Sequence, residues 1–163
     1  MKANFFSGKA LLALCISASL FAASCSKDND TDDNTNAETY AVSGSGSGSQ
    51  VVPSVTTTAT SSLTGTYTRS NRNLQYSVSW TGLVAAANAV RFYGPASAGS
   101  NASGNAQYDI TINSGGITGT YSGNVTLTAE QEADLLANKW YYTVGNATYV
   151  TGEVRGQIMA TAQ

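Results

Sequence analysis

The stretch Leu74-Gln75-Tyr76-Ser77-Val78-Ser79-Trp80-Thr81 alternates large apolar side chains with small polar ones without a break. Successive side chains of an extended chain point to opposite faces. The octet therefore predicts a strand with Leu74, Tyr76, Val78 and Trp80 on a buried face and Gln75, Ser77, Ser79 and Thr81 in water. The short polar segment Ser70-Asn71-Arg72-Asn73 separates it from residues 63–69, and this spacing predicts a hairpin.

The same period of two recurs on both sides of the octet. Tyr108, Ile110 and Ile112 repeat it, and Ile117, Tyr121, Val125 and Leu127 share a face. Trp140, Tyr142 and Val144 follow, then Val150, Val154 and Ile158. One-sided strands at short intervals predict an all-β fold, an antiparallel β-sandwich of immunoglobulin-like kind, rather than a βαβ fold. One segment departs from the pattern. Thr128 and Gln131 have capping-box spacing, and Glu130, Glu132 and Asp134 enrich the first turns in acids, so a short helix is expected near residues 129–137, crossing between sheets.

The chain has 163 residues, enough for one domain, and only 11% of them are charged against roughly a quarter in ordinary soluble domains. It contains no histidine. That removes Ser-His-Asp triads, Cys-His dyads, imidazole bases and His-ligated metals from the function classes open to it. The composition calls for no cofactor and no metal, and a net charge of −2 gives no reason to expect a nucleic-acid partner.

Lys2 and Lys9 precede an uncharged run over residues 10–23, the length of a signal-peptide core and short of a membrane-spanning helix. The run ends in Ala22-Ala23-Ser24-Cys25, which resembles the lipobox of bacterial lipoproteins. On that resemblance residues 1–24 are a signal peptide and Cys25 is the lipidated N-terminus, with palmitate-type chains anchoring the protein to a membrane. Cys15 then goes with the signal, and no thiol is left for a disulfide. An ordinary signal leaving a free Cys25 is the alternative.

Residues 26–40 carry five acids, Asp28, Asp30, Asp32, Asp33 and Glu38, against one base, Lys27. The residues beyond hold five acids and five bases, so the mature chain's excess acidity lies in this segment. Residues 43–49, SGSGSGS, have the composition of a flexible linker. These features predict a tether over residues 25–49 and a folded domain over residues 50–163. Acids just behind a lipidated cysteine resemble surface-export signals, and Ser26 resembles outer-membrane sorting. The expected address is the cell envelope, the outer membrane in particular, facing outward.

Several segments of the body resemble the chordin-type (CHRD) domain. Residues 48–57, GSQVVPSVTT, are similar to its opening G-x-Q-x-V-P-P-V-x-T. Residues 74–78 with Gly82-Leu83 match its L-x-Y-x-V and G-L elements, and residues 152–158, GEVRGQI, match its closing G-E-I-R-G-Q-I. The resemblance implies the fold more than a function; the expectation of a binding or structural domain without catalysis comes from the missing catalytic residues. Many bacterial members of that family carry histidines in H-I-H-G-P-A and N-V-H-T segments; here those places fall on Arg91, Tyr93 and Gly145.

Glu153 and Arg155 stand two apart, so they are candidates for a polar ligand or, alternatively, for a loop-locking ion pair. Pairing Glu153 with Asp109 as hydrolytic carboxylates is a further reading with no cleft motif behind it. Arg91 and Tyr93 enter the loose loop 96–105, and Tyr93, Tyr141 and Tyr149 offer ring faces for a glycan or a peptide, or else pack the sandwich. The functional expectation is a non-enzymatic, lipid-anchored envelope protein that binds or supports an envelope protein. The alternative is a carbohydrate-binding module at the cell surface.

Overall fold

The computed structural model describes residues 38–113 and 115–163. The signal segment, Cys15, Cys25 and the acidic stretch to residue 37 lie outside them. The elements are β1 (Thr39–Ser47), β2 (Thr60–Thr68), β3 (Asn73–Thr81), β4 (Ala87–Tyr93), β5 (Tyr108–Thr111), β6 (Gly119–Thr126), α1 (Ala129–Leu136), β7 (Tyr141–Asn146), β8 (Val154–Gln157) and β9 (Met159–Ala162). Among the described residues no helix is long and apolar enough to cross a membrane.

The expected octet is β3, and its Leu74, Tyr76, Val78 and Trp80 are each at most 5% exposed. Burying side chains of this size contributes about 1.5–3 kcal/mol apiece. The predicted hairpin is β2–β3, closed by the Arg72 amide donating to the Arg69 carbonyl. All ladders are antiparallel and run continuously in the order β5-β4-β7-β8-β1-β2-β3-β6, with β9 alongside β1. The two layers of the expected sandwich are therefore halves of one curled sheet. Curling brings β3 against β4, far apart in that order: Tyr76 and Phe92 meet edge-on with ring centres 4.8 Å apart. The end strands touch where the Tyr108 hydroxyl donates to the Thr126 carbonyl at 2.9 Å.

The helix forms where its cap predicts. Thr128 Oγ1 accepts from the Gln131 amide at 3.2 Å, and Gln131 Oε1 accepts from the Thr128 amide at 2.9 Å. It joins β6 to β7 across the strand order, buries Leu135, and places Glu132 3.0 and 3.1 Å from the Nε atoms of Arg69 and Arg72 at the β2–β3 turn.

Two expectations need correction. Residues 43–49 are no flexible linker, and the folded domain does not begin at residue 50. β1 starts at Thr39, buries Tyr40 and Val42, and sits between β2 and β8 in the middle of the sheet. The glycines have a steric purpose: Tyr142 of β7 lies across the backbone here. A Cβ on Gly44 would stand 2.8 Å from the Gln157 carbonyl oxygen and 3.1 Å from Tyr142 Cε1; one on Gly156 would meet the same ring. Gly44 and Gly46 face inward and Ser43 and Ser45 outward, so SGSGSGS is period-two patterning with glycine as the inward residue. The second correction concerns Ile117, which precedes β6 and is 56% exposed rather than sharing its inward face, and Val150, which is 62% exposed. Asn146 Oδ1 accepts from the amides of Thr148 and Tyr149 (3.0 and 2.8 Å), turning the chain before Val150 can join a strand.

Gly46→Val places a branched side chain against Ser61 and the Tyr142 hydroxyl. It is expected to destabilise the domain by about 1–3 kcal/mol in urea titration, whereas a linker glycine would tolerate the change. Burial pushes the Tyr142 phenol from 10.0 up to about 12, the Ser61 hydrogen bond pulling the other way. Burial, helped by Tyr121, takes Tyr76 to about 12 as well. In the unfolded chain these phenols ionise near 10, so stability should be full below pH 10 and fall as pH rises from 10 to 12. Thermal melts across that range check this, and Tyr142→Phe should flatten part of the slope.

Candidate functional site

The site grows out of the GEVRGQI segment. Gly152 has φ of 140°, and a Cβ there would lie 2.7 Å from Thr143 Cβ, so only glycine admits the turn into β8. The turn leaves Glu153 in a bend before β8 and Arg155 within it.

Arg155 is 2% exposed. Its Cζ stands 3.8 Å above the centre of the Tyr141 ring. Nη1 donates to the Gln50 carbonyl at 3.0 Å, and Nη2 donates to the Ser100 carbonyl at 2.7 Å. Those carbonyls belong to the loops before β2 and after β4, so one guanidinium fastens two loops to β8. Burial lowers its pKa, against a smaller opposing influence of Tyr141. Two hollows adjoin it: one of ≈400 Å³ bordered by Gln50, Pro53 and Gln157, the other of ≈430 Å³ bordered by Val52, Tyr93, Asn101 and Thr143. Arg155 lines both.

Tyr141 is 4% exposed and stacks on Tyr93 with ring centres 5.0 Å apart and planes within 13°. Enclosed in this way, Tyr141 presents no open face, whereas Tyr93 is half-buried at the rim. Arg91, beside Tyr93, pairs with Asp109 at 2.9 Å and donates to the Val150 carbonyl at 2.6 Å. A Cβ on Gly145 would lie 3.1 Å from Arg91 Nη1, so the arginine fills the space over that glycine.

Tyr93, Tyr141 and Arg155 thus converge, with Arg91 alongside; Tyr149 and Glu153 stand apart. Tyr149 belongs to the turn that Asn146 holds. Glu153, fully buried, accepts from Thr57 Oγ1 at 2.6 Å, the Val84 amide at 3.0 Å and Asn146 Nδ2 at 2.5 Å. Asp109 shares none of these partners, so the two carboxylates of the hydrolytic reading form no joint site. Thr57, Asn146 and Gln50 escape the sequence reading, because nothing local marks them as partners of residues far along the chain. Among the described residues no three His, Cys, Asp or Glu side chains gather as metal ligands would.

Glu153→Gln keeps the shape but turns an amide N–H toward groups that are all donors. The expected loss is about 1.5–3 kcal/mol in chemical denaturation. Arg155→Lys keeps the charge and loses the fork that grips both loops. Limited proteolysis should then cut within residues 48–55 and 96–105 at protease levels that leave the wild type intact.

Comparison with curated proteins and with solved structures returns no significant match. The family model described as the CHRD domain matches residues 42–158, from within β1 to Ile158 just beyond β8. That span includes the glycine-lined seam, both loops gripped by Arg155 and the buried Glu153. The chain belongs to the CHRD domain family.

Proposed function

We propose that this protein is a lipid-anchored component of the cell envelope whose CHRD domain binds or supports a partner and performs no chemistry. The observation that carries the binding part is the buried Arg155 guanidinium. It holds two loops in fixed positions and so preserves the hollows between them. A site pre-formed in this way avoids part of the ordering cost that a loose loop pays on binding. The two carboxylates of the hydrolytic reading are engaged in structure: Glu153 by three donors, Asp109 by Arg91.

The anchoring part rests on Cys25 behind an uncharged signal-like run and ahead of an acid-rich segment. Several acyl chains hold a protein on a membrane far more firmly than one. An outer-membrane address and outward display are the finer form of this proposal, supported by Ser26 and the acids that follow it.

A Cys25→Ala variant should move from the membrane pellet to the soluble fraction and lose incorporation of labelled palmitate. Unchanged fractionation and labelling would overturn the anchor. The binding part is tested by pull-down from envelope extract with wild type and with Arg155→Lys as baits. A partner retained by the first and lost by the second supports the cleft; equal retention removes it.

A further inference from the structure

The outward face of β1, β2, β3 and β6 lies on the far side of the sheet from the core and takes no part in the cleft. No Asp, Glu, Lys or Arg occurs anywhere in these four strands. The ladder registers align their outward side chains into ranks: Ser45, Ser62, Ser79 and Thr120 stand side by side across all four strands. The ranks on either side are Ser or Thr at every position, one of them completed by the Thr81–Thr118 pair. Neighbouring hydroxyls in the ranks are bonded to one another: Ser62 to Ser79 at 2.8 Å, Ser122 to Ser77 at 2.9 Å and Thr81 to Thr118 at 3.1 Å. The result is a grid of small hydroxyls, roughly 4.8 Å apart across strands and roughly 6.8 Å apart along them. It lines two neighbouring shallow depressions, of ≈390 and ≈610 Å³, the second bordered also by the exposed neutral amides Gln75 and Asn124.

We propose that this face is a binding surface for an uncharged polysaccharide chain. The chemistry narrows the occupant. A charged polymer would surrender hydration without meeting an opposite charge. A protein partner would look for the aromatic and arginine anchors that dominate protein interfaces, and the grid has none. A hydroxyl both donates and accepts, so a surface made of hydroxyls is matched by a neutral partner made of hydroxyls. Each such bond is weak, and a repeating polymer compensates by engaging many ranks at once. The inference shares a ligand class with the carbohydrate reading of the tyrosine loops but sits on a different face, so the two can fail separately.

The test is native affinity electrophoresis of the full chain in gels containing a soluble uncharged glucan, mannan or galactan, or the polyanion alginate. Retardation by at least one neutral polymer and none by alginate is the expected result. Ser62→Lys puts a charge in the central rank at an exposed position and should weaken retardation at least about tenfold. Thr64→Lys on the adjoining rank should do the same, with melting curves confirming that the variants are folded. Tyr93→Ala, in the cleft, should change nothing. The proposal is overturned if no neutral polymer retards the wild type, if alginate does so equally, or if both lysine variants behave like wild type. Loss of retardation in Tyr93→Ala moves the site to the loops. A dimer that forms with concentration and disappears in Ser62→Lys gives the face to a second copy instead.

Discussion

The ring of Tyr142 lies on backbone rather than on side chains, and the centre of the sheet is built around that contact. β7 supplies the ring, β1 and β8 the glycines beneath it, and β2 supplies Ser61, whose hydroxyl shares a 3.0 Å hydrogen bond with the phenol. Four strands are thereby fixed to one another by a single aromatic side chain. The rest follows: with the middle of the sheet pinned, its arms curl until Tyr76 and Phe92 meet and Trp140 and Leu135 close the core. A side chain in place of any glycine under the ring would lift it and part the seam.

Period-two patterning carried much of this architecture. The octet at residues 74–81 reads as a strand because its apolar residues are large, and the capping box names its helix because both partners lie within one turn. SGSGSGS alternates just as strictly, yet its inward residue is glycine, and composition alone classes such a run as a spacer. What distinguishes it is the ring above it, about a hundred residues away. The same limit applies to the site. GEVRGQI stands out in the sequence, but the role of Arg155 depends on carbonyls at residues 50 and 100, and that of Glu153 on Thr57, Val84 and Asn146. Those contacts exist only once the sheet has curled.

Charge is distributed against the usual pattern. Of its few charged side chains the domain encloses Glu132, Glu153 and Arg155, while four strands present only uncharged side chains, mostly hydroxyls, to solvent. Glu132 is paired with arginines; Glu153 is held instead by neutral donors, and Arg155 by neutral carbonyls at its two Nη atoms while its buried Nε has no partner among the described residues. Each ties together segments that regular secondary structure leaves loose, so the enclosed charges act as fasteners.

The position of β1 also imposes an order on folding. It is early in the sequence and central in the sheet, and along one side it pairs with β8 and β9, with Tyr40 opposite Ala162. During N-to-C synthesis or passage through a pore, β1 must wait for almost the whole domain before its second neighbour exists. The β2–β3 hairpin can close early because its partners are adjacent, but the seam cannot, and pairings of such long separation are slow to form. A chain wired in this way stays open until its last strands arrive, the condition a polypeptide needs to be threaded across a membrane before it folds.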